Sequence, residues 1–283
     1  MLTLPAIKLL RENFPQARIE ILGYKHIVAL AEKRFYADAT RSIEYGALAG
    51  FFARNAELPN ELSNYFASFD LILSYLFDPD QIFATNLRRC GVEQLIVGPA
   101  KLNETEHAAK QLARPLTELD LTLRNPTAEI FPTDEDRANA EALVSRDFVA
   151  IHPGSGSETK NWPMEKWIEL GKRISTAHLV VVAGEADDLA PLREAWCDRS
   201  VSYLENQPLP IVAAVLSRAS HFIGHDSGIS HIAAAVGTKC TLLFGPTDPA
   251  IWAPQNDGVA VLLASNGSMS EIPVETVLIQ LSS

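Results

Sequence analysis

The amino-acid sequence predicts an α/β protein with two doubly wound, Rossmann-like domains that face a central cleft. Short apolar runs, typical of strands, alternate with amphipathic segments, typical of helices, along most of the 283 residues. Strands that are separated by helices pair in parallel, with helices on both faces of the sheet. Between residues 116 and 134 the alternation gives way to Thr, Asn, Pro and acidic residues, and then it begins again. A cleft between two such domains is a usual place for a ligand.

The first series of elements occupies residues 1–125, which we assign to an N-terminal domain. The predicted helices cover residues 5–13, 79–90 and 104–112, and the predicted strands cover residues 18–22, 40–43, 69–75 and 94–97. Residues 126–145 are predicted to be a linker that includes a helix over residues 135–144.

A second series occupies residues 146–268, which we assign to a C-terminal domain, and residues 269–283 supply a closing helical segment. The predicted strands cover residues 148–152, 179–183, 219–224, 239–244 and 259–263. The predicted helices cover residues 164–174, 187–196, 210–216, 226–236 and 274–281.

Composition and charge exclude several classes of protein. The formal net charge of −11 argues against non-specific nucleic-acid binding, but it is compatible with a local basic pocket for an anionic small molecule. Cys90, Cys197 and Cys240 lie far apart and form no metal-binding or redox pair, so each is expected to be a small buried hydrophobe. The sequence has no apolar run of about 18 residues and does not start with the order of a signal peptide. We therefore expect a cytoplasmic location.

The most informative segment is FIGHDSGISH, residues 222–231. An apolar strand is followed by Asp226, Ser227 and Gly228, which are typical of a helix start. Such a turn directs free backbone N–H groups and the positive end of the helix dipole beyond the strand, where a phosphorylated ligand can bind. His231 lies one helical turn after Ser227 and on the same face. The alternative interpretation is an ordinary helix cap and a structural histidine.

The first strand of the second series leads into a matching polar loop, HPGSGSETKNWP, residues 152–163. Gly154 and Gly156 let a backbone approach a ligand closely, and Ser155 and Ser157 supply hydroxyl groups. Lys160 adds a mobile positive charge that suits phosphate oxygens, although a solvated loop lysine is the simpler interpretation. The spacing is not that of a P-loop. Two such loops in one domain are more specific than either alone.

The two segments HPGSGSETKNWP and GHDSGISHIAAAVGTKCTLLFGPTDPAIWAP together resemble glycosyltransferase family 9, the bacterial heptosyltransferases of lipopolysaccharide core synthesis. The segment LTLPAIKLLRENFPQARIEILG, residues 2–23, is also similar to the early helix and second strand of that family. The resemblance implies the two-domain GT-B fold, with a nucleotide-sugar donor, typically ADP-heptose, on the C-terminal domain. It further implies an acceptor on the N-terminal domain, a lipopolysaccharide core or a related glycan, and inverting transfer without a metal or a cofactor.

The resemblance also assigns donor-binding residues. The positions near the donor diphosphate are matched by Ser155, Gly156, Ser157 and Lys160. The second donor loop, in which the family uses the Asp for the sugar and the backbone for phosphates, is matched by Asp226, Ser227, Gly228 and His231. A looser match for a residue on the donor ribose is Glu185 or Asp188. The turn GPTDP, residues 245–249, is either an ordinary turn or a wall near the donor.

One part of the family pattern has no counterpart here. In the family, LTLPA follows a first strand and a turn resembling G-x-L-G-D, whose Asp is the proposed catalytic base, whereas this sequence starts at Met1 inside the following helix. A doubly wound sheet places its first strand centrally, so the strands over residues 18–22 and 69–75 would lack a shared neighbour. We therefore expect that the sequence starts too late, and we assign no catalytic base. An upstream reading frame that encodes an apolar strand and a Gly-rich turn ending in Asp would support this expectation.

Two other functions stay open at the level of the sequence. A hydrolase would use Ser227, His231 and Asp226, although G-x-D-S-G is not the G-x-S-x-G nucleophile elbow. A non-catalytic nucleotide-sugar-binding protein would need no catalytic base.

The expected partners are a nucleotide-sugar donor and a glycolipid or oligosaccharide acceptor, with no nucleic acid. Contact with a membrane is expected to be at most peripheral, at the inner face of the cytoplasmic membrane. Four cations either face an anionic lipid-linked acceptor or are scattered surface charges: Lys8, Arg11, Arg18 and Lys25.

Overall fold

The structure, a computed structural model, describes residues 1–174 and 178–281. The chain divides into two units, one formed by Leu2–Asn125 and the other by Pro126–Ser283 together with Met1. Each unit has its own parallel strands and its own hydrophobic core.

The first unit has four short strands and five helices. The strands are β1 (Glu20–Gly23), β2 (Ala39–Ser42), β3 (Ile72–Ser74) and β4 (Leu95–Val97). The helices are α1 (Leu4–Asn13), α2 (Lys25–Val28), α3 (Asn60–Ala67), α4 (Ile82–Arg89) and α5 (Ala108–Ala113). Two 3₁₀ helices, Gly46–Phe52 and Arg114–Leu119, complete it. β1 pairs in parallel with β2, and β3 pairs in parallel with β4, so within the described residues β1 and β3 share no neighbouring strand.

The core of the first unit lies on both faces of β3. Ile72 packs against one cluster of buried residues and Leu73 against another. Successive residues of a strand point to opposite faces, so the two clusters lie on opposite sides of the strand. The larger cluster consists of Leu48, Phe51, Leu62, Phe66, Phe83, Leu87 and Val92, and the smaller consists of Ala6, Ala113 and Leu116.

The second unit is built on one six-stranded parallel sheet. Its strands are β5 (Phe148–His152), β6 (His178–Ala183), β7 (Val201–Glu205), β8 (His221–His225), β9 (Cys240–Phe244) and β10 (Val259–Leu263). Their order across the sheet is β10-β9-β8-β5-β6-β7. The chain therefore starts in the middle of the sheet, fills one side, and returns to fill the other, which is the doubly wound order of dinucleotide-binding folds.

Seven α-helices accompany this sheet in the described residues. They are α6 (Asp134–Leu143), α7 (Met164–Arg173), α8 (Ala190–Ala195), α9 (Leu209–Leu216), α10 (Gly228–Ala235), α11 (Pro249–Trp252) and α12 (Val274–Leu281). Short 3₁₀ helices lie at Glu158–Lys160 and Met269–Glu271. α6 begins with a capping box, in which the Thr133 hydroxyl and the Asp136 carboxylate each accept the other's backbone N–H. The proposed closing segment 269–283 ends with two residues, 282 and 283, that lie outside the described residues.

Every residue of β5, β8 and β9 is buried. A parallel strand that is covered by helices on both faces forms a nearly continuous apolar run. β5 and β9 have that composition, whereas β8 has a histidine at each end. Trp162 and Trp167 meet edge to face beneath β5 with ring centroids 5.2 Å apart, and both rings are buried. The apolar run of each strand thus fixes where the strand lies, and its last residue delivers a polar loop to one edge of the sheet.

The structure corrects several expectations about single elements. β7 was not predicted, because Ser202 and Glu205 interrupt its apolar residues. The helix expected over residues 187–196 starts only at Ala190, since the Asp187 carboxylate accepts the Gly184 N–H in a turn. The helices α2, α3 and α11 were also missed.

Other expectations differ in extent. The strand expected over residues 69–75 is limited to Ile72–Ser74. Cys240 is buried as expected, but Cys90 is half-buried and Cys197 is exposed, so the prediction of three buried cysteines is wrong. Among the helices of the described residues, none is both long enough and apolar enough to cross a bilayer.

Candidate functional site

The two loops singled out in the sequence leave neighbouring strands of the second unit. β5 and β8 are paired in the middle of the sheet, and the chain turns to opposite sides of the sheet after them. In open parallel sheets a ligand binds outside the carboxyl ends of the strands at such a switch point. The loop after β5 (residues 153–163, here loop 1) and the loop after β8 (residues 226–227, here loop 2) meet there.

Loop 1 is held in shape by its own polar groups. The Ser155 hydroxyl donates to the Ser157 carbonyl at 2.8 Å and accepts the Ser157 N–H at 3.3 Å. The hydroxyls of Ser157 and Thr159 lie 2.9 Å apart. The 3₁₀ turn Glu158–Lys160 then brings Lys160 to the end of the loop. Both serines of the predicted site therefore order the loop.

The two glycines of loop 1 have different surroundings. A Cβ atom built on Gly154 would lie 1.8 Å from Asp187 Oδ1, so this glycine is required by the neighbouring turn after β6. A Cβ atom on Gly156 would meet no described atom within 4 Å, and this residue is exposed. Gly156 is thus the glycine of loop 1 whose backbone is open to a ligand, whereas Gly154 is a packing residue.

Loop 2 forms the amino-terminal end of α10. Ser227 is its N-cap, and the Ser227 hydroxyl accepts the Ser230 N–H. The N–H groups of Gly228 and Ile229 belong to the first helical turn and have no acceptor inside the helix. The space where a Cβ of Gly228 would lie is open among the described atoms. His231 is buried one turn further along. This end of α10 has the groups that bind an anion.

A lysine and a carboxylate join the two loops. Lys160 Nζ lies 2.7 Å from Asp226 Oδ2, with both side chains largely buried. Thr247, in the turn after β9, donates its hydroxyl to the same Asp226 oxygen at 2.9 Å. Residues that are 66 and 21 positions from Asp226 in the chain thus converge on one atom. The structure brings together the predicted residues Lys160 and Asp226, and it adds Thr247.

A buried histidine fixes loop 1 beneath this contact. His225 is 0% exposed, accepts the Trp162 N–H on Nε2 at 2.9 Å, and has Nδ1 3.3 Å from the Gly154 carbonyl. This pattern requires the neutral ring with its proton on Nδ1. Burial lowers the pKa of His225 to about 3, which keeps that form at neutral pH. His225 therefore ties both ends of loop 1 to the end of β8.

The three acidic residues after β6 have different local contacts. Glu185 is exposed, and the Asp188 carboxylate accepts the Ala190 N–H at the start of α8 at 3.0 Å. The acidic residue that lies against loop 1 is Asp187, which the sequence did not single out. The sequence shows that acidic residues follow the strand, but it does not show which of them faces loop 1. That depends on the conformation of the turn after β6.

The geometry of loop 2 does not support the hydrolase interpretation. The Ser227 hydroxyl is occupied as the helix cap beside Ser230, and the Asp226 carboxylate is held by Lys160 and Thr247. A serine hydrolase needs its carboxylate on the histidine that activates the serine. Among the described residues, no group of three or more His, Cys, Asp and Glu is arranged to hold a metal ion.

The first unit has local partners for most of the cations that were considered for an acceptor. Lys8 lies 3.9 Å from Glu12, Arg11 lies 2.7 Å from Asp38, and Arg18 lies 2.7 Å from Glu20. These pairs favour the interpretation as scattered surface charges. The same unit has a cavity of about 300 Å³ beside β3, β4 and α4, whose polar lining includes Ser74, Asp78, Gln81 and Arg88. The sequence contained no signal for that recess.

Comparisons with known proteins show which family this chain resembles. Residues 102–278 match "Glycosyltransferase family 9 (heptosyltransferase)". Lipopolysaccharide heptosyltransferase 3 of Escherichia coli (strain K12) is 26% identical over 303 residues, which cover 94% of this chain and 85% of that protein. Lipopolysaccharide heptosyltransferase 1 of Salmonella typhimurium is 29% identical over 119 residues, covering 40% of this chain and 37% of the relative.

Solved structures show the same fold. A glycosyltransferase of family 9 from Veillonella parvula superposes with a TM-score of 0.78 at 19% identity, covering 100% of this chain and 93% of that one. The E. coli ADP-heptose lipopolysaccharide heptosyltransferase II gives a TM-score of 0.76 at 16% identity, covering 99% and 93%. These similarities confirm the GT-B fold expected from the sequence. Because the family match spans more than half of the chain, the protein is a glycosyltransferase and belongs to glycosyltransferase family 9.

Proposed function

We propose that this protein transfers a heptose-like sugar from a nucleotide-diphosphate donor, ADP-heptose, to a lipopolysaccharide core or a related glycan. The transfer inverts the anomeric configuration and needs no metal or cofactor. The similarity to lipopolysaccharide heptosyltransferases over 94% of the chain supports the sugar and the acceptor. An E. coli heptosyltransferase solved with ADP has the same fold, with a TM-score of 0.72, which supports an adenine nucleotide.

The observation that carries the proposal is the contact between Lys160 and Asp226 at the amino-terminal end of α10. The Lys160 ammonium has three N–H donors, and one of them donates a hydrogen bond to the Asp226 carboxylate. The others, together with the N–H groups of Gly228 and Ile229, offer positive charge for a diphosphate. The Asp226 carboxylate repels phosphate and accepts hydrogen bonds from hydroxyl groups, so it suits the sugar part of the donor.

The arrangement fits the charge that develops during transfer. As the bond from the anomeric carbon to the diphosphate oxygen breaks, the sugar ring becomes positive and the diphosphate gains negative charge. Lys160 and the amino-terminal end of α10 stabilise that negative charge where it appears. A diphosphate held in this way leaves without protonation, so a single general base that takes the proton of the acceptor hydroxyl completes the reaction. The base itself is not assigned.

The acceptor is assigned to the unit Leu2–Asn125, following the family resemblance, with peripheral contact to the cytoplasmic face of the membrane. The charge distribution supports this choice. Residues 2–125 contain 14 Lys and Arg against 15 Asp and Glu, whereas residues 126–283 contain 10 against 20. An anionic lipid repels the second unit more strongly than the first.

The first test is donor binding, measured by calorimetry with ADP and ADP-heptose. Lys160→Ala removes a charge-assisted contact to the diphosphate, and we expect affinity for both ligands to fall about 10-fold to 100-fold. Lys172→Ala, an exposed position on α7, is the matched control and is expected to leave affinity within about 2-fold. Equal effects of the two substitutions would contradict the assignment of Lys160.

The second test is turnover with ADP-heptose and a truncated lipopolysaccharide core acceptor, followed by NMR of the product linkage. We expect an inverted linkage and an unchanged rate in the presence of EDTA. Loss of activity in EDTA would overturn the metal-independent mechanism. Tight binding of ADP-heptose without any transfer would instead favour a non-catalytic nucleotide-sugar-binding protein.

A further inference from the structure

The turn after β9 makes a contact that ordinary turn chemistry does not explain. Threonine in a turn commonly bonds to backbone groups a few residues away. The Thr247 hydroxyl instead donates to Asp226 Oδ2 at 2.9 Å, across the gap between the ends of β8 and β9. The side chain of Asp226 is only 10% exposed, so this contact is shielded from water.

The position of Thr247 is fixed from both sides. A Cβ atom on Gly245 would lie 2.7 Å from Met269 Sδ and 2.9 Å from the Gly267 carbonyl oxygen, so the turn lies tightly against that segment. On the other side, the Asp248 carboxylate accepts the Ala250 N–H at 2.8 Å and caps α11. Thr247 is therefore held between a packed glycine and a helix cap.

The two oxygens of Asp226 are in different situations. Oδ2 accepts hydrogen bonds from both Lys160 and Thr247, whereas among the described residues no group donates to Oδ1. A carboxylate oxygen has two lone pairs, so Lys160 and Thr247 together occupy the acceptor sites of Oδ2. Their convergence on one oxygen leaves the other available for a sugar hydroxyl.

We propose that Thr247 is a positioning residue that holds the Asp226 carboxylate for the donor sugar while Lys160 contacts the diphosphate. This inference rests on the proposed donor site. Lys160 is a flexible side chain, and a bound diphosphate competes with Asp226 for its protons. Thr247 is neutral and lies in a fixed turn, so its bond to Oδ2 persists when the lysine moves. The turn GPTDP thus belongs to the site through its threonine.

The test separates the sugar from the nucleotide. Thr247→Val keeps the shape of the side chain and removes the hydroxyl, and Thr247→Ser keeps the hydroxyl. Calorimetry with ADP, which lacks the sugar, is expected to give the wild-type affinity for both variants. With ADP-heptose we expect Thr247→Val to lower kcat/KM roughly 10-fold or more, and Thr247→Ser to restore most of it.

Three experimental outcomes would contradict the role of Thr247 or the proposed function. Wild-type kcat/KM in Thr247→Val, in a protein that transfers the sugar, would overturn the role of Thr247 and leave the proposed function intact. An equal loss of ADP and ADP-heptose affinity, or a lowered Tm without rescue by Thr247→Ser, would show a general structural role and also overturn it. Wild-type protein that binds neither ligand would instead contradict the proposed function itself.

Discussion

At the scale of single residues, loop 1 contains two glycines, Gly154 and Gly156, whose surroundings differ. Gly154 is buried, and the carboxylate of Asp187 occupies the space where a side chain would begin. Asp187 cannot easily withdraw, since its other oxygen accepts the Gly184 N–H at 2.7 Å. Gly156 is exposed and open among the described atoms. The loop is thus anchored at its base and free at its tip.

We expect Gly154→Ala to lower the free energy of unfolding by about 1–3 kcal/mol, because the new methyl group overpacks a buried contact. Gly156→Ala is the matched control, with an expected change within about 0.5 kcal/mol. Urea unfolding followed by tryptophan fluorescence measures both. In the Asp187→Ala background the Gly154→Ala effect is expected to shrink, and a full additive loss would contradict the proposed clash.

At the scale of elements, α7 and α8 approach each other closely at Gly171. A Cβ atom there would lie 2.2 Å from Trp196 Cζ2 and 2.8 Å from Trp196 Nε1. The indole cannot shift freely, because it is buried and its N–H donates to the Ile168 carbonyl at 3.2 Å. A glycine inside a helix is unfavourable by propensity, so its presence in α7 is explained by this packing.

Helix propensity and packing predict opposite signs for Gly171→Ala. Propensity alone would raise stability by about 1 kcal/mol, whereas overpacking costs about 1–3 kcal/mol. We expect packing to win, with a net loss of unfolding free energy in urea. Lys172→Ala, on the exposed side of the same helix, is expected to change it by less than about 0.5 kcal/mol. Adding Trp196→Phe, a shorter ring, should recover part of the loss, and a stabilised Gly171→Ala variant would refute the close contact.

At the scale of the whole molecule, the second unit has several buried neutral histidines. Burial lowers the pKa of His221 to about 4 and of His225 to about 3, and it also lowers the pKa of His152. The unfolded chain has histidines near pKa 6.5. Below that pH the unfolded state binds more protons than the folded state, so acid destabilises this unit. The stability that these rings provide is present above pH 6.5 and is lost as the pH falls toward 4.

Between pH 7.5 and 5 we expect His221 and His225 each to remove about 2 kcal/mol from the free energy of unfolding. All four tryptophans lie in residues 126–283, and their fluorescence therefore reports this unit. His221→Phe removes one titrating ring and should reduce the pH slope of urea unfolding. A slope that is unchanged in the variant would contradict the prediction for His221.

The sequence was sufficient for features that depend on local patterns. The apolar runs predicted β5 and β10 with their full bounds, because a short apolar run between turn residues is typical of a strand. The capping residues predicted the start of α10, and the two polar loops with the family resemblance led to the correct family. β7 escaped prediction because Ser202 and Glu205 interrupt its apolar residues.

Contacts between distant residues were decided only by the tertiary structure. The strand order that places loops 1 and 2 side by side brings Lys160 to Asp226, and the next strand adds Thr247 to the same oxygen. His225 holds loop 1 from below, and Asp187 rather than Glu185 or Asp188 lies against it. Local composition states which side chains a loop offers, but which atoms meet depends on the register of the strands that deliver them. The sequence by itself determined the fold class and the two polar loops, and the parallel sheet decided how these loops meet.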